Sequence, residues 1–128
     1  TPDSTHVLAR LPDGARALYH ISGVLHGGPS PQVHLYGEEG TLKYLMAPED
    51  QLLLAMAGGD FEEVEVPVEK AGGWRVEEEF VNAIRGHEQI QFNDFSVGVR
   101  YMEFTEAVAI SAREGRPVSL PLQEDERY

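Results

Sequence analysis

Apolar and polar residues alternate with a strand-like period through the first two-thirds of the chain, and the period becomes helical in the last third. Val7, Ala9 and Leu11 fall on one side of a strand over His6 to Leu11. Pro12-Asp13-Gly14 follows as a turn, because proline fixes φ and glycine tolerates positive φ. A longer strand runs from Ala15 to about His26. Its odd positions include Ala17, Tyr19, Ile21 and Leu25, and its even positions include Arg16, Leu18, His20, Ser22 and His26. One apolar and one mixed face suit a sheet covered fully on one side and partly on the other.

Gly27-Gly28-Pro29-Ser30-Pro31 breaks this pattern as a loop. Val33 to Tyr36 and Thr41 to Met46 form a predicted hairpin around Gly37-Glu38-Glu39-Gly40, with Gly40 expected at the left-handed position of the loop. Gln51 to Ala57 is nearly continuous Leu and Ala, which suits a doubly buried strand or a helical turn; its shortness and flanking turns favour the strand. Val64, Val66 and Val68 mark one more strand, and Pro67 places it at an edge or an end.

Trp74 to Arg85 then reads as a helix, with Val76, Phe80, Val81 and Ile84 apolar and Gly86 as its stop. Glu77, Glu78 and Glu79 crowd its first turns, where negative charge suits the helix dipole, and they read as solvated. Trp74 reads as a core anchor for the helix start. A second helix has Asp94 as N-cap, apolar spacing from Tyr101 to Ala112, Gly115 as stop and Pro117 beyond it. Val118 to Leu122 suits a last short strand. Strands followed by helices predict an α+β fold, a mostly antiparallel open sheet with two helices packed on one face. Residues 1–122 are expected to form a single domain, with 123–128 a polar tail that frays.

Composition narrows the function. A length of 128 residues suits one domain, and an apolar share of 41% is ordinary for a globular chain. The net charge of -12, with ten scattered Lys and Arg, argues against nucleic acid and anionic membrane surfaces as partners. The lack of cysteine excludes disulfides, zinc–thiolate sites and a thiol nucleophile. No apolar run is long enough to span a bilayer, and no signal peptide is visible, so a cytoplasmic location is expected unless a leader has been removed. The start at Thr1 reads as an internal or processed segment.

Three stretches carry a family resemblance. Val33 to Tyr36 followed by Gly37-Glu38-Glu39-Gly40-Thr41-Leu42 resembles the "strand, then G-x-x-G-T-L" hairpin of C-terminal domains in the Gfo/Idh/MocA family of NAD(P)-dependent oxidoreductases. Glu79-Phe80-Val81-Asn82-Ala83-Ile84-Arg85-Gly86 is similar to that family's "EFv-AI-G" helix. Gly98-Val99-Arg100-Tyr101, Glu106-Ala107-Val108, Ser111-Ala112, Gly115 and Pro117-Val118 resemble its closing helix and strand. Each motif is weak alone, but the ordered set spans nearly the whole chain.

The resemblance implies a substrate-side domain that helps wall a pocket for a sugar, cyclitol or similar polyol and associates with another subunit through its sheet face. It also implies an N-terminal Rossmann domain holding NAD or NADP. The dinucleotide fingerprint G-x-G-x-x-G, the Glu-Lys-Pro segment and the Asp-x-x-x-His motif are absent from these residues. Asp3-Ser4-Thr5-His6 has the wrong spacing for the last of them. This chain is therefore expected to hold no cofactor and to be inactive alone.

His20, Ser22 and His26, on the mixed face of the long strand, are the candidate substrate-lining residues; the bland reading makes them ordinary polar residues on a half-exposed or subunit-facing sheet. No catalytic, cofactor or metal residue is assigned. His20, His26 and His34 with Glu38 invite a cupin-like metal centre. However, His20 and His26 lie six residues apart on one strand, roughly 20 Å, too far to share an ion. The competing function is a free-standing binding or scaffold domain, favoured by the self-contained run of elements.

Overall fold

The early alternation folds into a hairpin: β1 (Ser4–Arg10) pairs antiparallel with β2 (Arg16–Ser22) in a register running from Ser4↔Ser22 to Arg10↔Arg16. The computed structural model describes residues 2–91 and 94–126. The Asp13 carboxylate accepts the Ala15 N–H at 3.0 Å, and Gly14 takes φ 93°, so the turn closes as its residues dictate. Thr5, Val7, Ala9 and Ala17 are half-buried on one face, while Leu8 and Leu18 are exposed on the other. β2 ends at Ser22, short of the His26 expected: the Gly23 N–H still donates to the Asp3 carbonyl at 3.0 Å, and the Ser22 hydroxyl accepts the Val24 N–H at 3.3 Å as the chain turns.

A second sheet follows, with β3 (Gln32–Tyr36), β4 (Gly40–Leu45), β5 (Gln51–Met56) and β6 (Glu62–Glu63) in the order β3-β4-β5-β6, all antiparallel. Gly40 does not occupy a left-handed position; it lies in β4, where a Cβ would run into the Ala55 carbonyl of β5. Close backbone approach is the reason for that glycine. β6 is shorter than the run of valines suggests. The Val64 N–H still donates to Leu52 at 2.8 Å, after which Pro67 offers no N–H and the chain turns through residues 67–71.

Chain contacts divide the molecule into two compact units, Thr1–Gly72 with the strands and Gly73–Tyr128 with the helices. In the first, the sheet positions are at most half-buried among the described residues. In the second, α1 (Val76–Ile84) begins two residues later than expected and is followed by Gly86 at φ 73°. Trp74 is not a core anchor: it is 81% exposed, and its indole N–H donates to Glu77 at 2.7 Å. Glu79 is not solvated; it is buried at 9% exposure.

α2 (Phe95–Glu114) starts and stops where its caps place it. The Asp94 carboxylate accepts the Val97 N–H at 2.8 Å, and Gly115, at φ 66°, donates its N–H to Ser111 at 2.9 Å. Ala107 and Ile110 of α2 form a core with Leu122, and Val118 packs against it. Val118 to Leu122 is thus not a strand but an unpaired segment that returns Leu122 to the helix. The polar end is tied down as a 3₁₀ turn over Glu124–Glu126, where Glu126 meets Arg116 at 2.9 Å and accepts the Gln123 N–H. The elements compose an α+β fold with antiparallel sheets. Among the described residues, no helix is long and apolar enough to cross a membrane.

Candidate functional site

β2 and the turn after it position the three residues singled out from the sequence. His20 and Ser22 share one face of β2, as strand alternation requires. His20 is exposed and stacks on His6 of β1, with ring centroids 4.3 Å apart and planes 18° apart. Ser22 is half-buried, opposite Ser4, with its hydroxyl engaged by Val24. His26 lies beyond the strand in a turn with Gly27 at φ 70°. A Cβ at Gly28 would have to displace the tip of the exposed Leu25 side chain, whose Cδ2 lies 2.6 Å away. Among the described residues, no hydrogen bond or ring contact joins His26 to His20 or Ser22. The structure therefore assembles His20 with His6, which is not among the candidate substrate-lining residues. Its signal was present: a turn centred on Asp13 sets His6 opposite His20.

His34 is arranged differently. Its Nδ1 meets the Tyr36 hydroxyl at 2.8 Å, and its Nε2 meets the Gln32 Oε1 at 3.0 Å. All three residues lie on one face of β3, so both ring nitrogens are occupied by neighbours two positions away. Lys43, the cross-strand partner of His34, sits 5.8 Å from the Phe61 ring centroid, a cation–π contact. Among the described residues, no group of three His, Asp or Glu side chains is placed to hold a metal ion.

The opposite face of this sheet is apolar. The register aligns Leu35 with Leu42, and Leu42 with Leu54. These three and Met56 line an open depression of ≈ 450 Å³, with Glu38 and Glu39 of the hairpin tip on its lip. An apolar floor with carboxylates on one side can take a hydrophobic group. Beside it, hydrogen bonding to Asp50, burial and the Asp50 charge hold the Tyr44 phenol above its ordinary value. The chain matches no family model, no curated protein and no solved structure in comparisons with known proteins.

Proposed function

We propose that this chain is the substrate-side and association domain of an NAD(P)-dependent oxidoreductase acting on a sugar, cyclitol or similar polyol. The observation that carries the reading is the order of the three motifs along the chain. The first forms the β3–β4 hairpin, the second spans most of α1, and the third runs from α2 through its Gly115 stop. The contribution of this half is positional. It presents His20, Ser22 and His26, whose imidazole and hydroxyl groups both donate and accept hydrogen bonds, as polyol recognition demands. NAD or NADP and the acid/base groups come from a Rossmann domain outside these 128 residues, so the chain alone does not turn over. The location is cytoplasmic. Association runs through the apolar sheet face that holds Leu35, Leu42 and Leu54, paired with the same face of a second copy.

The reading frame upstream of the Thr1 codon tests this. It is expected to encode a strand followed by G-x-G-x-x-G, then Glu-Lys-Pro, then Asp-x-x-x-His. A start codon immediately before Thr1 overturns the reading and leaves a free-standing binding or scaffold domain as the account.

A further inference from the structure

The β1–β2 hairpin carries two imidazoles that hold no other group. His6 and His20 are directly opposed in the antiparallel register, stacked at 4.3 Å and both exposed. Among the described residues, none of their ring nitrogens has a protein hydrogen-bond partner, whereas both nitrogens of His34 do. The next pairs on the same face are Ser4↔Ser22 on one side and Leu8↔Leu18 on the other, so no charged side chain adjoins the pair within its face. The first cations along that face belong to Arg10↔Arg16, two steps away, about 13 Å at strand rise.

We propose that His6 and His20 form a surface chelate for a divalent transition cation of the Zn²⁺, Ni²⁺ and Cu²⁺ class, with water completing the coordination. Directly opposed residues of an antiparallel pair have Cα atoms about 4.5–5.5 Å apart, close enough for two imidazole nitrogens to reach one ion at ~2.0–2.1 Å each. The stacked rings do not yet aim two lone pairs at one point. Each turns about its Cβ–Cγ bond, a broad torsion in exposed rings, and so exchanges the face contact for converging nitrogens. Neutral imidazole selects this class of ion, and the absence of carboxylates from the adjoining pairs disfavours Mg²⁺ and Ca²⁺. Once one ring has bound, the second is held at high effective concentration, which makes the pair a better ligand than either ring. The ion also joins two strands that otherwise form a sheet of two, so binding and hairpin stability are linked.

Titration of the full chain with Ni²⁺, read by calorimetry and by histidine ring resonances in NMR, tests the proposal. One equivalent is expected to bind, with the His6 and His20 resonances moving together. His6→Ala and His20→Ala are each expected to weaken binding at least about tenfold, while His34→Ala binds as the parent does. Circular dichroism checks that the variants fold, and the ring resonances of the unaltered chain need no variant. Equal affinity in parent and both single variants overturns the proposal, as does movement of the His26 or His87 resonances in place of His6 and His20.

Discussion

The Glu79 carboxylate accepts the backbone N–H of Gln91 at 3.1 Å, which fastens the segment after α1 back onto the helix. Glu88 in that segment receives the Asn82 amide at 2.9 Å and the Arg75 guanidinium at 3.4 Å. Glu79 and Asn82 of α1 are therefore spent on the helix's own following loop. Glu79→Ala removes the acceptor of the Gln91 N–H, which is exposed and turns to water, at a cost of about 0.5–1.5 kcal/mol. Urea unfolding should show that loss, together with faster hydrogen exchange at Gln91. Glu79→Gln keeps an acceptor oxygen and should lose less. Parent-like exchange at Gln91 in Glu79→Ala would show that the contact does not hold the loop.

Asp94 makes the helical unit sensitive to acid. The Ser96 hydroxyl and then the Val97 N–H hold its carboxyl below the usual aspartate range. A carboxyl whose pKa is lower in the folded state contributes stability above its unfolded value, about 3.9, and that contribution is lost as pH falls through the folded value. Glu126, held low by Arg116 and by the Gln123 N–H, adds a contribution of the same sign. Asp94→Asn retains a capping oxygen but does not titrate. Urea midpoints from roughly pH 6 to pH 3 should fall less steeply in Asp94→Asn than in the parent. Identical slopes would remove Asp94 from the account.

Gly40 and Gly37, at the two ends of one hairpin tip, differ in what a side chain would meet. A Cβ at Gly40 would collide with the Ala55 carbonyl and lie 3.2 Å from the Met56 Cα, so β4 and β5 would have to part. A Cβ at Gly37 would meet the Gly40 carbonyl oxygen at 3.5 Å, an ordinary contact. Gly40→Ala is expected to cost about 1–3 kcal/mol and Gly37→Ala much less. Thermal or urea unfolding of the two variants side by side distinguishes them, and equal losses would refute the backbone contact.

The apolar face of the second sheet predicts concentration-dependent association. Leu35 is 60% exposed and Leu54 37% exposed on the same face. Sedimentation velocity of the parent at high concentration should show a species heavier than the monomer. Leu35→Lys should weaken that association by more than about tenfold, since a charge buried without a partner is costly. A parent chain that stays monomeric throughout contradicts association through this face.

Legibility in the sequence followed how local the cause was. The ends of α2 are legible because Asp94, Gly115 and Pro117 act within one turn of them. The β3–β4 hairpin was readable from alternation and its tip. The role of Gly40 was not, because the atom it avoids belongs to Ala55, on a strand that its own neighbourhood does not specify. The extended run ending at Leu122 resembles a strand in sequence; its docking on Ala107 and Ile110 is a tertiary contact without a local signature. The shared face of His20 and Ser22 followed from alternation, whereas the position of His26 depended on where β2 stops. That stop lies where β2 runs past the start of β1, with Gly23 bonded to Asp3 as the last backbone link. His6 was within reach of sequence reasoning once the Asp13 turn had been used to set the register.

The order β3-β4-β5-β6 is the same along the chain and across the sheet. Each strand therefore meets a partner that was synthesised just before it, across a short connection whose closure costs little entropy. Pairing can advance one hairpin at a time as the chain leaves the ribosome. The paired strands end at Glu63, so the whole ladder is drawn from chain that precedes the first residue of either helix.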